Sequence, residues 1–555
     1  MSDKLLTSWQ RFIGLLQLDK RDIYQVIYYA IFAGLVSLTL PLGIQAIINL
    51  IQGAQISTSW ILLVVLVTLG VAFAGALQVA QMRIIENVQQ KIFTRSSFEF
   101  AYRFPKIKMS ELRNEYPPEL ANRFFDTLTI QKGLSKILID FPAALLQILF
   151  GLILLSFYHP FFIIYGILLL LLIYIVFKFT VRKGLETSLN ESKYKYKVAH
   201  WIEEIARAIV SFKLSGKTNL ALDKNDGLVD EYLNYRESHF RILILQFIQM
   251  IGFKILVTGG LLLIGGILVI NQQMNIGQFV AAEIIILIVI GSVEKLILGL
   301  ESFYDVLTSL EKLGQVVDKE LEHQGGEKPI IGDLNIELNN VSYKVADREK
   351  PILKEINLKI NHRETVIING KSGSGKTSLL KVIAGVIEPT QGDVYINDTN
   401  LRNINLNHYR GHVGQTLAED TPFEGTILEN ITFGDKTISE EELQWTIDHV
   451  GLRDFVKEQP NGLQTMLFPE GKQISFSIAK KIVLARGIVN KPELLILKEP
   501  LEHFDTEEAN KIMKFLTNKD RPWTLIVVSR NKNWIQNCSK IYTLVNGELK
   551  TEKNA

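Results

Sequence analysis

Residues 370–377 read Gly370-Lys371-Ser372-Gly373-Ser374-Gly375-Lys376-Thr377 and fit the phosphate-binding pattern G-x-x-x-x-G-K-[ST] without a mismatch. The glycines let the backbone curl so that its N–H groups face a phosphate. The ammonium of Lys376 would reach the β- and γ-phosphates, and the hydroxyl of Thr377 would hold Mg²⁺. We therefore expect this loop, together with Ser378, to bind a nucleotide.

The sequence on either side of the loop is typical of a strand and a helix. Residues 365–368 are apolar and β-branched, which indicates a strand entering the loop. Residues 378–384 favour a helix leaving it, with the positive end of the helix on the phosphates. The alternative interpretation is a Gly/Ser turn between strand and helix that binds nothing.

A second buried strand is predicted at residues 494–497, and it carries an unusual residue at its end. A magnesium-binding acid is expected after such a strand at a nucleotide site. This chain has Lys498 there, followed by Glu499. The pattern predicts nucleotide binding, but it places Mg²⁺ binding and hydrolysis in doubt, since Lys498 could itself neutralise phosphate charge.

Composition points to a membrane protein of more than one domain. The chain has 555 residues, 47% of them hydrophobic, and a formal net charge of +2. This near-neutral balance argues against nucleic acid as the main partner. Cys538 is the only cysteine, which excludes an intrachain disulfide and a cysteine metal cluster.

Six stretches in the first 300 residues are long and apolar enough to cross a bilayer, which takes roughly 20 helical residues. Their predicted bounds are 24–50, 60–82, 141–158, 161–181, 245–270 and 276–298. The intervening segments 83–139 and 182–241 carry about ten and eleven Lys and Arg residues, whereas the short connections carry none. The positive-inside rule therefore predicts that both long segments, both termini and the nucleotide-binding half are cytoplasmic.

The remaining features of the first half are helical. Leu5, Leu6, Trp9, Phe12, Ile13 and Leu16 recur at helical spacing. This pattern predicts an amphipathic helix in the cytoplasmic interface, with packing on protein as the alternative. The two long cytoplasmic segments predict helical hairpins, with tips near Tyr116-Pro117-Pro118 and Leu214-Ser215-Gly216-Lys217.

Two ionisable residues inside the predicted spans are Lys254 and Glu283. Their different depths along the helices argue against an ion pair between them. We expect Lys254 to snorkel to the cytoplasmic side, and we consider Glu283 a candidate for the substrate pathway.

Six spans, two cytoplasmic hairpins and a C-terminal phosphate-binding domain resemble one half of an ATP-binding cassette (ABC) exporter. The resemblance implies an all-α transmembrane domain followed by an α/β P-loop domain. It also implies that two such halves dimerise, that each ATP lies between the P-loop of one subunit and the signature loop of the other, and that the hairpin tips act as coupling helices. The predicted regions are an interfacial helix at 1–23, the transmembrane domain at 24–315, a linker at 316–330 and the nucleotide-binding domain at 331–555.

Several motifs fit the family. Gln415, in Val413-Gly414-Gln415, looks like the glutamine that contacts Mg²⁺ and the attacking water. Glu499 matches the glutamate that polarises this water, and Asp505 matches the aspartate of the loop that crosses the dimer interface. The segments Pro422-Phe423-Glu424-Gly425-Thr426-Ile427-Leu428-Glu429-Asn430-Ile431 and Leu484-Ala485-Arg486 are similar to conserved parts of exporters.

Other positions depart from the family pattern. The signature L-S-G-G-Q aligns with Ile474-Ser475-Phe476-Ser477-Ile478, so both glycines are lost. Lys498 replaces the aspartate that anchors Mg²⁺, and Arg530 replaces the histidine that contacts the γ-phosphate. Val345 stands where an aromatic ring stacks on adenine, and Tyr343 is a candidate substitute on the same strand face.

Three functions remain open at this point. The first is a half-transporter that binds ATP, hydrolyses it slowly and couples it to export. The second is a fully active exporter ATPase, and the third is an ATP-sensing membrane scaffold that does not transport. The membrane half resembles toxin-secretion exporters more than lipid exporters. The resemblance implies as partners membrane lipid, a second half-transporter in a homodimer or heterodimer and, if secretion crosses two membranes, a periplasmic adaptor protein. We expect a multi-pass protein of the cell inner membrane.

Overall fold

The computed structural model describes residues 7–52, 58–328 and 332–554, and the chain divides into two compact units. The first unit comprises Met1–Ile107 and Asn114–Glu320, and the second comprises Lys108–Arg113 and Leu321–Ala555. Part of the first predicted outer connection and the end of the predicted linker fall outside the described residues, as do Leu5 and Leu6.

The first unit is helical. Its helices are α1 (Ser8–Leu18), α2 (Lys20–Ser37), α3 (Thr39–Gln52), α4 (Thr58–Arg103), α5 (Pro117–Asn122), α6 (Asp126–Ser156), α7 (Phe161–Arg207), α8 (Ile209–Leu214), α9 (Leu220–Ile270) and α10 (Ile276–Val317). Within the described residues, six helical segments are apolar enough to cross a membrane, and they contain nearly all of the six predicted spans. The six spans are therefore confirmed, with the first divided between α2 and α3. Pro41 explains this division, since it cannot donate a hydrogen bond to the carbonyl of Ser37.

The hairpins are built by helices that continue well beyond a bilayer. α4, α7 and α9 contain 46, 47 and 51 residues. At 1.5 Å per residue these are roughly 70 Å long, against a hydrocarbon thickness of about 30 Å. The first hairpin is interrupted over a longer stretch than predicted, since α4 gives way to a 3₁₀ turn at Phe104–Lys106 and the next helix begins only at Pro117.

The helix α1 packs on α10 through its apolar face. Phe12 is buried, and its ring meets that of Phe303 edge-on with centroids 5.6 Å apart. Arg11 forms an ion pair with Asp318 at the end of α10. Trp9 and Ile13 remain exposed. The structure therefore shows the packing on protein that the sequence left as an alternative, and contact of the exposed face with lipid stays a prediction.

Lys254 forms an ion pair that the sequence did not reveal, and its snorkelling to the cytoplasmic side stays a prediction. Its ammonium on α9 lies 3.8 Å from the carboxylate of Glu294 on α10. The sequence argument missed Glu294, because it compared Lys254 only with Glu283. Glu283 is half-buried. Its place in a substrate pathway stays a prediction.

The second unit is an α/β domain. Its strands are β1 (Ile336–Tyr343), β2 (Leu353–Ile360), β3 (Thr365–Asn369), β4 (Gln391–Ile396), β5 (Thr399–Asn400), β6 (Val413–Thr416), β7 (Gly425–Thr426), β8 (Met466–Leu467), β9 (Leu494–Lys498), β10 (Thr524–Val528), β11 (Lys540–Val545) and β12 (Glu548–Asn554). Its helices are α11 (Lys376–Ile383), α12 (Leu406–Gly411), α13 (Ile427–Thr432), α14 (Glu440–His449), α15 (Arg453–Glu458), α16 (Phe476–Ile488) and α17 (Thr506–Leu516). The predicted fold class is confirmed.

The central sheet has six strands in the order β12-β11-β3-β10-β9-β6, and only the pairing of β11 with β12 is antiparallel. Val366 and Ile526 pack into one core, whereas Ile367 and Val527 pack into the core on the opposite face. Because the strands are buried on both faces, they read as continuous apolar runs rather than alternating ones. The carboxyl ends of β3, β9 and β10 meet at one edge, where the phosphate-binding loop lies.

The segment Leu321–Lys328 of the predicted linker is attached to the second unit. Arg410 on α12 forms two hydrogen bonds with the carboxylate of Glu322, at 2.6 and 2.9 Å. The backbone N–H of Glu327 donates to the carbonyl of Asn403 at 2.8 Å. This part of the predicted linker is therefore fixed by side-chain and backbone contacts.

Candidate nucleotide-binding site

The loop between β3 and α11 has the conformation that its glycines permit. Gly370, Gly373 and Gly375 have φ values of +146°, +80° and +104°. Gly375 precedes the first residue of α11, and a Cβ atom at this position would lie 2.8 Å from the carbonyl oxygen of Ile352. Glycine is required at Gly375 both for its left-handed backbone and for this close approach.

Lys376 begins α11 and folds back over the loop. Its ammonium donates to the carbonyls of Gly370 and Lys371, at 2.7 and 2.8 Å. Burial lowers the pKa of Lys376, and the charge of Arg530 lowers it further. A phosphate bound in the loop would place a negative charge beside the Lys376 ammonium.

A cavity of about 600 Å³ opens beside the loop. It brings together most of the predicted site residues with the ends of β9 and β10. The lining includes Gly370, Ser372, Gly373, Ser374, Gly375, Lys376, Thr377, Ser378, Lys498, Glu499, Ser529 and Arg530. Among the predicted site residues that the structure describes, Lys371 and Gln415 do not line the cavity. Gln415 lies on β6, beyond β9 at the edge of the sheet.

Lys498 is the last residue of β9 and forms an ion pair that the sequence did not reveal. Its ammonium lies 3.2 Å from one carboxylate oxygen of Glu419, and the ammonium of Lys381 on α11 lies 3.5 Å from the other. Burial alone would raise the pKa of Glu419. A backbone hydrogen bond and the two ammonium groups outweigh burial and lower that pKa below its usual range.

Glu499 is held by the segment that follows β10. Its carboxylate accepts hydrogen bonds from the hydroxyl of Ser529 at 3.0 Å and from the backbone N–H of Arg530 at 3.0 Å. The residue itself has a left-handed backbone with φ of +47°. The carboxylate thus has a fixed position at the cavity, and its action on a water molecule stays a prediction.

The residues present do not fit Mg²⁺ in the predicted manner. Thr377 lines the cavity, but Gln415 does not, and Lys498 brings an ammonium to the position where an aspartate was expected. Mg²⁺ prefers oxygen ligands in octahedral geometry. The nearest carboxylates beside Lys498 are already engaged, Glu419 by two ammonium groups and Glu499 by Ser529 and Arg530.

Two family models match the chain in agreement with this geometry. The model described as "ABC transporter transmembrane region" matches residues 24–293, and the model described as "ABC transporter" matches residues 353–502. The chain belongs to the ABC transporter family. It joins one transmembrane region to one nucleotide-binding domain, which is the organisation of a half-transporter, and the ABC domain implies that ATP is the nucleotide.

Individual relatives include several exporters. The human ATP-binding cassette sub-family B member 5 is 32% identical over 246 residues, which are 43% of this chain and 20% of that protein. The alpha-hemolysin translocation ATP-binding protein HlyB of Escherichia coli O157:H7 is 28% identical over 56% of this chain and 45% of its own length. The leukotoxin translocation ATP-binding protein LktB of Mannheimia haemolytica is 25% identical over 62% of this chain and 49% of its own length. The matched regions therefore span about half or less of these relatives.

A solved structure of a bacterial Atm1-family ABC exporter with ATP bound has the same fold. The two chains superpose with a TM-score of 0.85 at 16% sequence identity, over 97% of this chain and 95% of the other. This likeness extends over both the helical unit and the α/β unit. It supports the fold of an ABC exporter across nearly the whole chain.

The signature segment of this ABC half-transporter begins α16. Ser475 caps the helix, and its hydroxyl accepts a hydrogen bond from the backbone N–H of Ile478 at 3.3 Å. The ring of Phe476 is half exposed and lies edge-on to the ring of His503, with centroids 4.9 Å apart. The helix N-terminus is thus capped, and the ring of Phe476 lies at the position where the family resemblance predicts glycine.

The predicted substitute for the adenine-stacking ring is not at the cavity. β1 ends at Tyr343, which packs against a core, so Tyr343 and Val345 do not share a strand face as expected. Val345 lines the cavity with Arg348. The end of β1 explains the difference, since the two-residue alternation on which the prediction rested does not extend to Val345. Sequence reasoning also missed Arg348, Glu419 and Glu502, which no motif marks.

Proposed function

We propose that this chain is a half-transporter of an ABC exporter that binds ATP and couples it to export, with weak hydrolysis in its own site. One observation supports the weak hydrolysis more than any other. Lys498 ends β9 at the cavity, in the position of the aspartate that would anchor Mg²⁺.

The size of the electrostatic effect explains why this position matters. At an effective dielectric near 20, two unit charges about 4 Å apart interact by about 4 kcal/mol. Replacing a carboxylate by an ammonium reverses the sign of this interaction for a bound cation. In phosphoryl transfer the metal neutralises charge on the β- and γ-phosphates, so its loss slows the reaction more than it weakens nucleotide binding.

A second candidate, a fully active exporter ATPase, is favoured by two features of the site. Lys376 and the glycine conformations of the loop are intact, and Glu499 is fixed at the cavity by Ser529 and Arg530. If these groups suffice, the chain turns over ATP at an ordinary rate.

The partners and substrate follow from the family. The chain has one nucleotide-binding domain, so we propose that it pairs with a second half-transporter, either a copy of itself or a different subunit. HlyB and LktB are named for translocation of toxins. A secreted polypeptide is therefore the substrate class we propose, with a periplasmic adaptor protein as a further partner where two membranes are crossed.

ATP hydrolysis by the detergent-solubilised full-length protein separates the two candidates. We expect turnover at least about tenfold below the roughly 10 s⁻¹ that is typical of enzymes. Glu499→Gln serves as the control, because it removes the carboxylate but keeps the size of the side chain. Turnover near 10 s⁻¹ that depends on Mg²⁺ and disappears in Glu499→Gln would establish the second candidate.

The proposed orientation, in the inner membrane with both hairpins cytoplasmic, is tested by labelling in whole cells. An impermeant thiol reagent should modify Gln273→Cys between α9 and α10, and it should spare Lys217→Cys after α8. Cys538 gives little background, since its side chain is 5% exposed and burial raises its pKa to about 12. The opposite labelling pattern contradicts the orientation.

A further inference from the structure

We propose that this site binds the triphosphate of ATP without Mg²⁺, and that the ammonium of Lys498 leaves Glu419 to contact the phosphates in the place of the metal. This inference rests on the proposed nucleotide binding. It goes further by assigning Lys498 as a phosphate ligand and Glu419 as the partner that holds it when no nucleotide is bound.

The charge of the cavity supports metal-free binding. The cavity is lined by five cationic side chains, Arg113, Arg348, Lys376, Lys498 and Arg530. Its lining also includes two carboxylates, Glu499 and Glu502. Five positive charges against two negative charges leave an excess of three, which exceeds the charge of one Mg²⁺. The cationic side chains of the protein therefore neutralise the triphosphate charge that Mg²⁺ neutralises in other nucleotide sites.

The same count shows what an aspartate would do at position 498. Replacing the ammonium by a carboxylate leaves four positive and three negative charges in the lining. A triphosphate entering such a cavity meets an excess of only one positive charge and needs a divalent cation. The identity of one residue thus decides whether the metal is required.

Lys498 has a resting partner that it can leave. Glu419 is half exposed, with 49% of its side chain accessible, and ion pairs at such positions are weak. Glu419 also keeps a second ammonium, that of Lys381 at 3.5 Å, when Lys498 moves away. The exchange therefore leaves no isolated carboxylate, and the Lys498 ammonium gains a charge-assisted contact with phosphate.

The experiment measures binding of AMP-PNP, a non-hydrolysable ATP analogue, by calorimetry on the full-length protein in detergent. Each variant is titrated in excess MgCl₂ and in excess EDTA. For the unmodified chain we expect Kd in EDTA to stay within about threefold of Kd in MgCl₂. For Lys498→Asp we expect Kd in EDTA to be at least about tenfold weaker than in MgCl₂. Because each ratio is measured within one variant, a general loss of affinity does not imitate the effect.

Two further variants complete the test. Lys519→Asp makes the same charge change on an exposed turn, and its ratio should equal that of the unmodified chain. Glu419→Gln removes the resting partner of Lys498, so binding in EDTA should tighten. Absence of tightening in Glu419→Gln overturns the exchange.

The outcomes separate this inference from the proposed function. AMP-PNP binding by the unmodified chain only in MgCl₂ overturns metal-free binding and leaves the half-transporter assignment intact. Absence of binding in both conditions overturns the nucleotide site itself. A ratio in Lys498→Asp that equals that of the unmodified chain removes Lys498 from the role of phosphate ligand.

Discussion

At the scale of single residues, Lys498 and Glu499 at the end of β9 have opposite expected effects on ATP hydrolysis. Glu499 has the carboxylate that the family resemblance predicts to polarise water, and it is held by Ser529 and Arg530. Lys498 places an ammonium one residue earlier, and this ammonium pairs with Glu419. The sequence is sufficient to locate both side chains, because a strand followed by a loop fixes which edge of the sheet they reach. It does not reveal the pairing, since Glu419 is far away in sequence and belongs to no motif.

Lys376 gives the prediction that tests the nucleotide site most directly. Its ammonium is organised by the carbonyls of Gly370 and Lys371, so its position does not depend on the nucleotide. We expect Lys376→Ala to weaken binding of an ATP analogue by about 3 kcal/mol, or more than a hundredfold in Kd. Photo-crosslinking with a labelled analogue measures this loss. Lys371→Ala is the matched control, since the Lys371 side chain does not line the cavity, and undiminished labelling of Lys376→Ala would exclude the assigned site.

At the scale of secondary-structure elements, prediction succeeds where a pattern is continuous and fails where it is interrupted. The apolar spans and the strands β3 and β9 were predicted, because each is a continuous run of mostly apolar residues. The placement of Tyr343 and Val345 on one strand face was wrong, because β1 ends at Tyr343. The pairing of Lys254 with Glu294 was missed, because helical rotation and packing, rather than depth alone, decide which charged residues meet.

Asn430 on α13 tests how α13 and α16 are joined. Its side chain is fully buried and makes four hydrogen bonds. It donates to the carbonyls of Phe423 and Thr426, and it accepts from the N–H of Phe423 and the guanidinium of Arg486. We expect Asn430→Ala to destabilise this domain by about 2–3 kcal/mol, because it leaves buried polar groups unpaired. The unfolding midpoint of the detergent-solubilised protein should fall by roughly 5–10 °C.

The control for this substitution is Lys519→Ala, on an exposed turn without buried contacts. Its unfolding midpoint should equal that of the unmodified protein. A midpoint of Asn430→Ala within about 1 °C of that of the control would contradict a structural role for this network, since even a shift of 1 kcal/mol moves the midpoint by about 2–4 °C in a domain of this size.

At the scale of the whole molecule, the sequence predicted two units because the composition of the first suits lipid and that of the second suits water. The first 300 residues contain six helices with apolar segments long enough for lipid, and the second unit alternates short strands with helices around a sheet. The two units were therefore recognisable without a structure. The relation between the altered positions was not recognisable, because Lys498 and Arg530 line the cavity of this subunit, whereas Phe476 would face the site of a partner.

This division leads to a prediction about restoring hydrolysis. Lys498→Asp with Arg530→His changes the charges at the cavity, and Phe476→Gly with Ser477→Gly removes the side chains at the start of α16. In a homodimer each ATP would require one repaired cavity and one repaired helix N-terminus, since the helix must approach the γ-phosphate of the opposite subunit closely. We therefore expect each double variant to hydrolyse ATP no faster than the unmodified chain, and the quadruple variant to exceed it by at least about tenfold, which is a barrier lower by about 1.4 kcal/mol. Equal turnover in the cavity double variant and the quadruple variant would show that the altered signature does not limit the reaction, and that the side chains of Lys498 and Arg530 set its rate.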